Sequence, residues 1–191
     1  MNQSRSAQPG FTLIEVLIVV AVIGILAVVV LPSTAPDVNA QLRTAARMVA
    51  TELAYARSLA VSNNSTYRVT FDTEDDRLVI EHSGVDSGLD VLPDSPFRDP
   101  EDPRTQHVLD LTDVPRLGAP VRLVTAAENT GVFRRIDHIQ FGPLGELSST
   151  GRVVLWLSSG PADGQHYVYL TVDPVTGLAE RGGISTQGPP R

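Results

Sequence analysis

The sequence predicts an α+β protein in which one long N-terminal helix packs on an antiparallel β-sheet domain. Three observations lead there. From Phe11 to Leu31 every residue is apolar or small except Thr12 and Glu15. From Val38 to Val61 apolar residues return at three- and four-residue steps, the period of an amphipathic helix. From Tyr67 onward, short runs rich in β-branched and aromatic residues alternate with turn formers, the signal of antiparallel strands.

The first segment, residues 11–31, would be about 31 Å long as a helix, enough for a hydrocarbon core of about 30 Å. Glu15 sits near its N-terminal edge. A charge at the centre of such a helix costs about 2.5–3.5 kcal/mol, and an acid there is usually functional. Near the edge the cost is smaller, but a bare anchor has no use for it; a partner cation is the natural reason. Gly24 lies inside the run and Pro32 ends it. Proline removes a backbone donor and breaks or bends a helix, and Pro36 follows, so an interruption is expected between Leu31 and Val38. A secretory signal peptide would be shorter and followed closely by a small-residue cleavage site; Val38-Asn39-Ala40 fits that loosely but lies well past the run.

The amphipathic helix is assigned to residues 32–62, with its periodic pattern running from Val38 to Val61. Leu42, Ala45, Ala46, Val49, Leu53, Ala56 and Ala60 form its stripe, while Arg43, Arg47 and Arg57 fall largely off it. Small alanines allow close approach to a sheet, so the stripe reads as core. Asn63-Asn64 reads as the helix end.

Residues 63–191 read as a β-rich domain. Strands are predicted at Tyr67–Phe71, Leu78–Ile80, Val108–Leu111, Val121–Val124, Ile136–Phe141, Val153–Leu157 and Tyr167–Val172. Asp163-Gly164 suggests a hairpin, and one last short strand is expected near Thr176-Gly177. Residues 83–105, with Pro93, Pro96, Pro100 and Pro103, read as a long surface loop.

The chain has 191 residues and no cysteine. Stability must therefore come from packing and strand pairing rather than disulfides, in an exported part of about 150 residues, the size of one domain. The net charge of −7 argues against nonspecific nucleic-acid binding, which needs a basic footprint.

The stretch Gly10-Phe11-Thr12-Leu13-Ile14-Glu15, running into the apolar segment, closely resembles the N-terminus of type IV pilins and of the pseudopilins of type II secretion systems. The resemblance implies a pilin-like fold and a leader over residues 1–10. It also implies a prepilin peptidase that cuts between Gly10 and Phe11, and N-methylation of the new Phe11 amine. In a filament, Glu15 of one subunit would neutralise the Phe11 amine of its neighbour and set the register. Gly24 and Pro32 stand where pilin-like proteins carry a helix segment that loosens on assembly. Other pilins or pseudopilins, an inner-membrane assembly platform and membrane lipid are the implied partners. The implied location is the inner membrane, single-pass, with the C-terminal domain in the periplasm, and then a pseudopilus or pilus, near its tip.

The C-terminal half narrows this. Ile139-Gln140-Phe141-Gly142-Pro143-Leu144-Gly145, then Val153–Leu157, Tyr167–Val172 and Thr176-Gly177-Leu178, resembles the GspH/FimT family of minor pseudopilins and minor pilins. The same residues have a plain meaning, with Phe141 anchoring the core while Pro143 and Gly145 make a turn.

Other classes fit less well. There is no Gly-x-Ser-x-Gly elbow, no His-Glu-x-x-His and no phosphate loop, so no enzyme, cofactor or metal is expected. His82, His107, His138 and His166 are scattered without metal spacing. Asp72, Glu74, Asp75 and Asp76 read as a solvated acidic turn. Ser158–Gly164 carries one acid, too few for calcium with its six to eight oxygens. Arg134, Arg135, Arg181 and Arg191 are the only candidates for a DNA-uptake role. The rival from another class is a membrane-anchored exported binding domain that does not polymerise.

Overall fold

A computed structural model describes residues 12–30, 37–93, 102–112 and 120–190. The chain divides into two compact units, Met1–Ala35 and Pro36–Arg191.

The first unit contains helix α1, Leu13–Val30, 18 residues. Valine, isoleucine and leucine point to every side of it, so it has no amphipathic stripe. Its described side chains are all exposed. Among the described residues no helix is long and apolar enough to cross a membrane; α1 as described spans about 27 Å. Phe11 and Leu31, which complete the apolar run, lie outside the described residues, as do residues 31–36 and the expected interruption there.

The second unit opens with helix α2, Val38–Ser62. Asp37 caps it by accepting from the Asn39 N–H at 3.0 Å, and Asn63 is its C-cap. Every stripe residue named above is fully buried. Among the described residues nine strands follow: β1 Tyr67–Asp72, β2 Arg77–His82, β3 Gln106–Asp110, β4 Arg122–Asn129, β5 Phe133–Ile136, β6 His138–Phe141, β7 Arg152–Ser159, β8 His166–Val172 and β9 Ala179–Ser185. They form not one sheet but two, both antiparallel, in the orders β3-β2-β1-β6 and β5-β4-β7-β8-β9. Helix α2 packs against β1 and β6 of the first sheet and β7, β8 and β9 of the second. Its stripe shares one core with Val69, Phe71, Ile80 and Phe141 on one side and Leu155, Leu157, Val168 and Leu170 on the other.

Several boundaries differ from the sequence reading. Ile136–Phe141 is two strands, because the chain changes sheets at Asp137: Ile136 pairs with Ala126 in the second sheet and Ile139 with Val69 in the first. The spacing explains it. Residues three apart lie on opposite faces of one straight strand, so Ile136 and Ile139 could not both turn toward the core without a break. Strands β7 and β8 do form a hairpin, but Asp163-Gly164 belongs to a longer connection with a 3-10 turn at Ala162–Gly164 and a positive φ of 107° at Gly160. The last strand, β9, is seven residues long and lies beyond Thr176-Gly177. Within residues 83–105 the described parts are pinned down: Leu92 is buried and its N–H donates to the Arg104 carbonyl at 2.9 Å.

Candidate functional site

The assembly motif is described from Thr12 onward; Gly10, Phe11 and Pro32 lie outside the described residues. Thr12 caps α1 in two ways. Its carbonyl accepts from the Glu15 and Val16 N–H groups at 3.1 and 3.3 Å, and its hydroxyl accepts from Glu15 N–H at 3.3 Å. The Glu15 side chain lies in the first turn, where a carboxylate is favoured by the positive end of the helix dipole. It is exposed. Among the described residues, no atom beyond its own helix backbone lies within 4 Å of where a Cβ on Gly24 would stand.

In the second unit the two C-terminal turns singled out from the sequence meet in space. The first runs from Gly142 to Gly145, closed by the Gly145 N–H donating to the Gly142 carbonyl at 2.8 Å. The second runs from Asp173 to Gly177. The Asp173 carboxylate accepts from the Val175 and Thr176 N–H groups, both at 3.0 Å, and the Thr176 backbone bond leads in holding its carboxyl below the usual range. Gly145 and Gly177 have φ of +84° and +65°. A Cβ on Gly177 would overlap the Gly145 carbonyl. Arg57 of α2 closes the junction, its Nε donating to the Thr176 carbonyl at 2.7 Å. The Phe-x-Pro-x-Gly and Thr-Gly turns are therefore one structural joint, clasped by a helix residue that fell off the apolar stripe.

Ser65, His82 and Asp90 form a relay that sequence reasoning missed. Ser65 Oγ lies 2.8 Å from His82 Nε2, and His82 Nδ1 lies 2.7 Å from Asp90 Oδ1. The order matches a nucleophile, base and orienting acid. Acyl transfer, however, needs room beside the hydroxyl for a carbonyl and its oxyanion donors. Here a Cβ on Gly84 would overlap Ser65 Oγ and stand 2.7 Å from His82 Nε2, so backbone fills that room. With the His82 ring buried against Tyr67, the relay staples the segment after β2 to the end of α2.

Other polar side chains missed by the periodicity are also structural. Glu52 of α2 and His107 of β3 are both buried, with Oε2 2.9 Å from Nε2 but without the alignment of a hydrogen bond. Glu128 accepts from Gly151 N–H at 2.9 Å and Thr150 N–H at 3.0 Å and pairs with Arg134. The Arg134 bond, then that from Gly151, holds its carboxyl below the ordinary range. The acidic turn is not uniformly solvated either. Asp76 is buried at a positive φ of 55°, and its Oδ1 accepts from the Leu123 N–H at 2.8 Å, tying the two sheets together. Burial pushes its carboxyl up. Among the described residues no group of three or more metal-ligating side chains is gathered. His138 pairs with Asp137, and His166 with Asn39.

Comparison with known proteins adds the following. Residues 5–31 match the family profile described as the prokaryotic N-terminal methylation motif. Residues 45–176 match that of type II transport protein GspH. No curated protein matches the chain. Among solved structures, the type IV minor pilin FimU of Pseudomonas aeruginosa in one crystal form is 24% identical over 78% of this chain and 92% of that one, with a TM-score of 0.45. A second crystal form is 22% identical over 78% and 97%, with a TM-score of 0.43.

Proposed function

Because this chain belongs to the GspH family of type II transport proteins and carries the N-terminal methylation motif, it is a minor pilin or pseudopilin, and we propose that it joins its filament through α1, Glu15 and the amine of Phe11. Helix α1 carries the proposal most directly. A helix apolar on every face needs an apolar surrounding, and the described side chains of this one are exposed. Lipid before assembly and neighbouring subunits after it would supply that surrounding.

Within this reading a prepilin peptidase cuts between Gly10 and Phe11, where glycine offers no side chain to obstruct the enzyme, and the new amine is methylated. The resulting cation lies four residues before Glu15. A carboxylate inside a bundle of apolar helices is costly unless paired, so an axial offset that brings Glu15 of one subunit to Phe11 of the next is selected over its neighbours. Gly24 and Pro32 would let the helix loosen as it leaves the membrane. The subunit would start in the inner membrane with residues 63–191 in the periplasm, and would finish near the filament tip after passing the assembly platform.

Mass spectrometry of the native protein tests processing: methylated Phe11 is expected as the first residue, and an intact Met1 start would overturn the motif's role. Glu15→Ala tests pairing. Membrane level and cleavage should persist, while site-specific crosslinking to neighbouring subunits falls, since breaking a buried pair costs about 3–5 kcal/mol. Crosslinking equal to wild type, at matched expression, would sink register by charge, whereas no crosslinking to neighbours in wild type itself would favour an anchored domain that does not polymerise.

A further inference from the structure

The outer face of the second sheet, turned away from the core, carries a trough of about 980 Å³. Its floor holds Trp156 and Tyr167, with Thr125 and Ala127 beside them. One wall is Gly131-Val132-Phe133 and the other is the C-terminal Gly188-Pro189-Pro190. Trp156 is the only tryptophan in the chain. It takes no part in the core, and its ring sits 5.3 Å from that of Tyr169. Val132 is 76% exposed and Phe133 45% exposed. Aromatic rings that face solvent beside exposed aliphatic side chains mark an interaction surface.

The charge of the trough is distinct from that of the rest of the molecule. The chain carries 22 acidic residues, yet among the described residues none that lines the trough is acidic, and Arg135 is the one cation there. Arg135 donates from Nε to Thr125 Oγ1 at 3.1 Å, which fixes the guanidinium. It makes no ion pair among the described residues. A held arginine with free terminal donors suits a carboxylate. The shape favours an extended chain. The C-terminal prolyl segment already runs along the trough, with Gly188 packed so close that a Cβ would lie 3.2 Å from the Tyr167 ring. Among the described residues strand β5, which supplies Phe133 and Arg135, is an edge strand, and such an edge presents backbone groups on its outer side. Aromatic-lined grooves take extended prolyl peptides because those are ordered before binding.

We propose that this trough is a docking site for an extended segment of a partner protein that carries one carboxylate, from Asp, Glu or a chain terminus, among apolar or prolyl residues. The carboxylate meets Arg135, and the flanking apolar residues stack on Trp156 and Tyr167. The proposal does not depend on how α1 assembles.

The test uses the full chain in detergent micelles and the fluorescence of Trp156. The probes are a decapeptide of alternating prolyl and leucyl residues with one central Asp, its Asn twin, and a chito-oligosaccharide. Saturable quenching or a wavelength shift is expected with the Asp peptide, and binding about tenfold weaker with the Asn twin, the size of one charge-assisted hydrogen bond. Arg135→Gln should erase the difference. Val132→Asp, at an exposed wall position, should weaken the Asp peptide by repulsion while leaving circular dichroism unchanged. No saturable response to the Asp peptide, equal binding of the twins, or binding of the sugar alone would each overturn the proposal.

Discussion

Helices α1 and α2 are both long and both carry many apolar residues, yet Leu17 of α1 is 61% exposed while Leu53 of α2 is completely buried. The difference lies in arrangement. In α2 the apolar residues follow one stripe, with Arg43, Arg47 and Thr51 opposite, so one face finds its cover in the two sheets of the same chain. In α1 they occupy all faces, so the cover must come from outside. A stripe specifies an intramolecular core; uniform apolarity specifies a solvent or a bundle.

Truncation on each helix breaks this comparison most sharply. Leu53→Ala should destabilise the second unit by about 2–5 kcal/mol, the cost of removing a buried leucine and leaving a cavity. Leu17→Ala should change that unit's stability by less than about 0.5 kcal/mol and act instead on membrane or filament association. Urea unfolding followed by circular dichroism measures both; equal losses would show that α1 contributes to the folded core.

Carboxylates extend the contrast at smaller magnitude. Glu128 is buried and has its pKa lowered by Arg134 and by the Gly151 N–H. Its contribution is therefore present above the ordinary value of 4.5 and is lost as pH falls through the lower folded value. Glu128→Gln should cost about 1–3 kcal/mol at neutral pH and flatten the acid limb of a stability–pH curve. An acid limb unaltered by Glu128→Gln would place the acid sensitivity elsewhere.

The charge of Asp76 gives the smallest effect and the opposite sign. Burial raises its carboxyl above the ordinary 3.8, so its contribution is present below that value and is lost as pH rises through the folded one. Asn tolerates the left-handed backbone and still accepts from Leu123 N–H. Asp76→Asn should therefore shift neutral stability by no more than about 0.5 kcal/mol, whereas Asp76→Ala leaves a buried N–H without its acceptor and should cost about 1–3 kcal/mol. Thermal unfolding of the pair separates the two. Equal losses for Asn and Ala would mean that the charge, rather than the acceptor, holds the sheets together.

The sequence by itself determined what repeats along the chain. Period gave the buried face of α2 residue by residue, from Leu42 to Ala60, and β-branched runs gave most strands. The N-terminal run from Gly10 to Glu15 pointed to assembly because an acid inside an apolar segment is costly until it meets a cation. Only the tertiary structure decided what depends on residues far apart in the chain. It split the strands into two sheets at Asp137, joined the Gly142–Gly145 turn to Thr176-Gly177 through Arg57, and buried Glu52 against His107 and Glu128 against the Gly151 amide. It also placed Trp156, Tyr167 and Arg135 around one trough. A pattern of 2 or 3.6 residues records which face of an element is apolar. It holds no information on which distant backbone N–H a carboxylate will meet, and that pairing is what sets the cost of burying it.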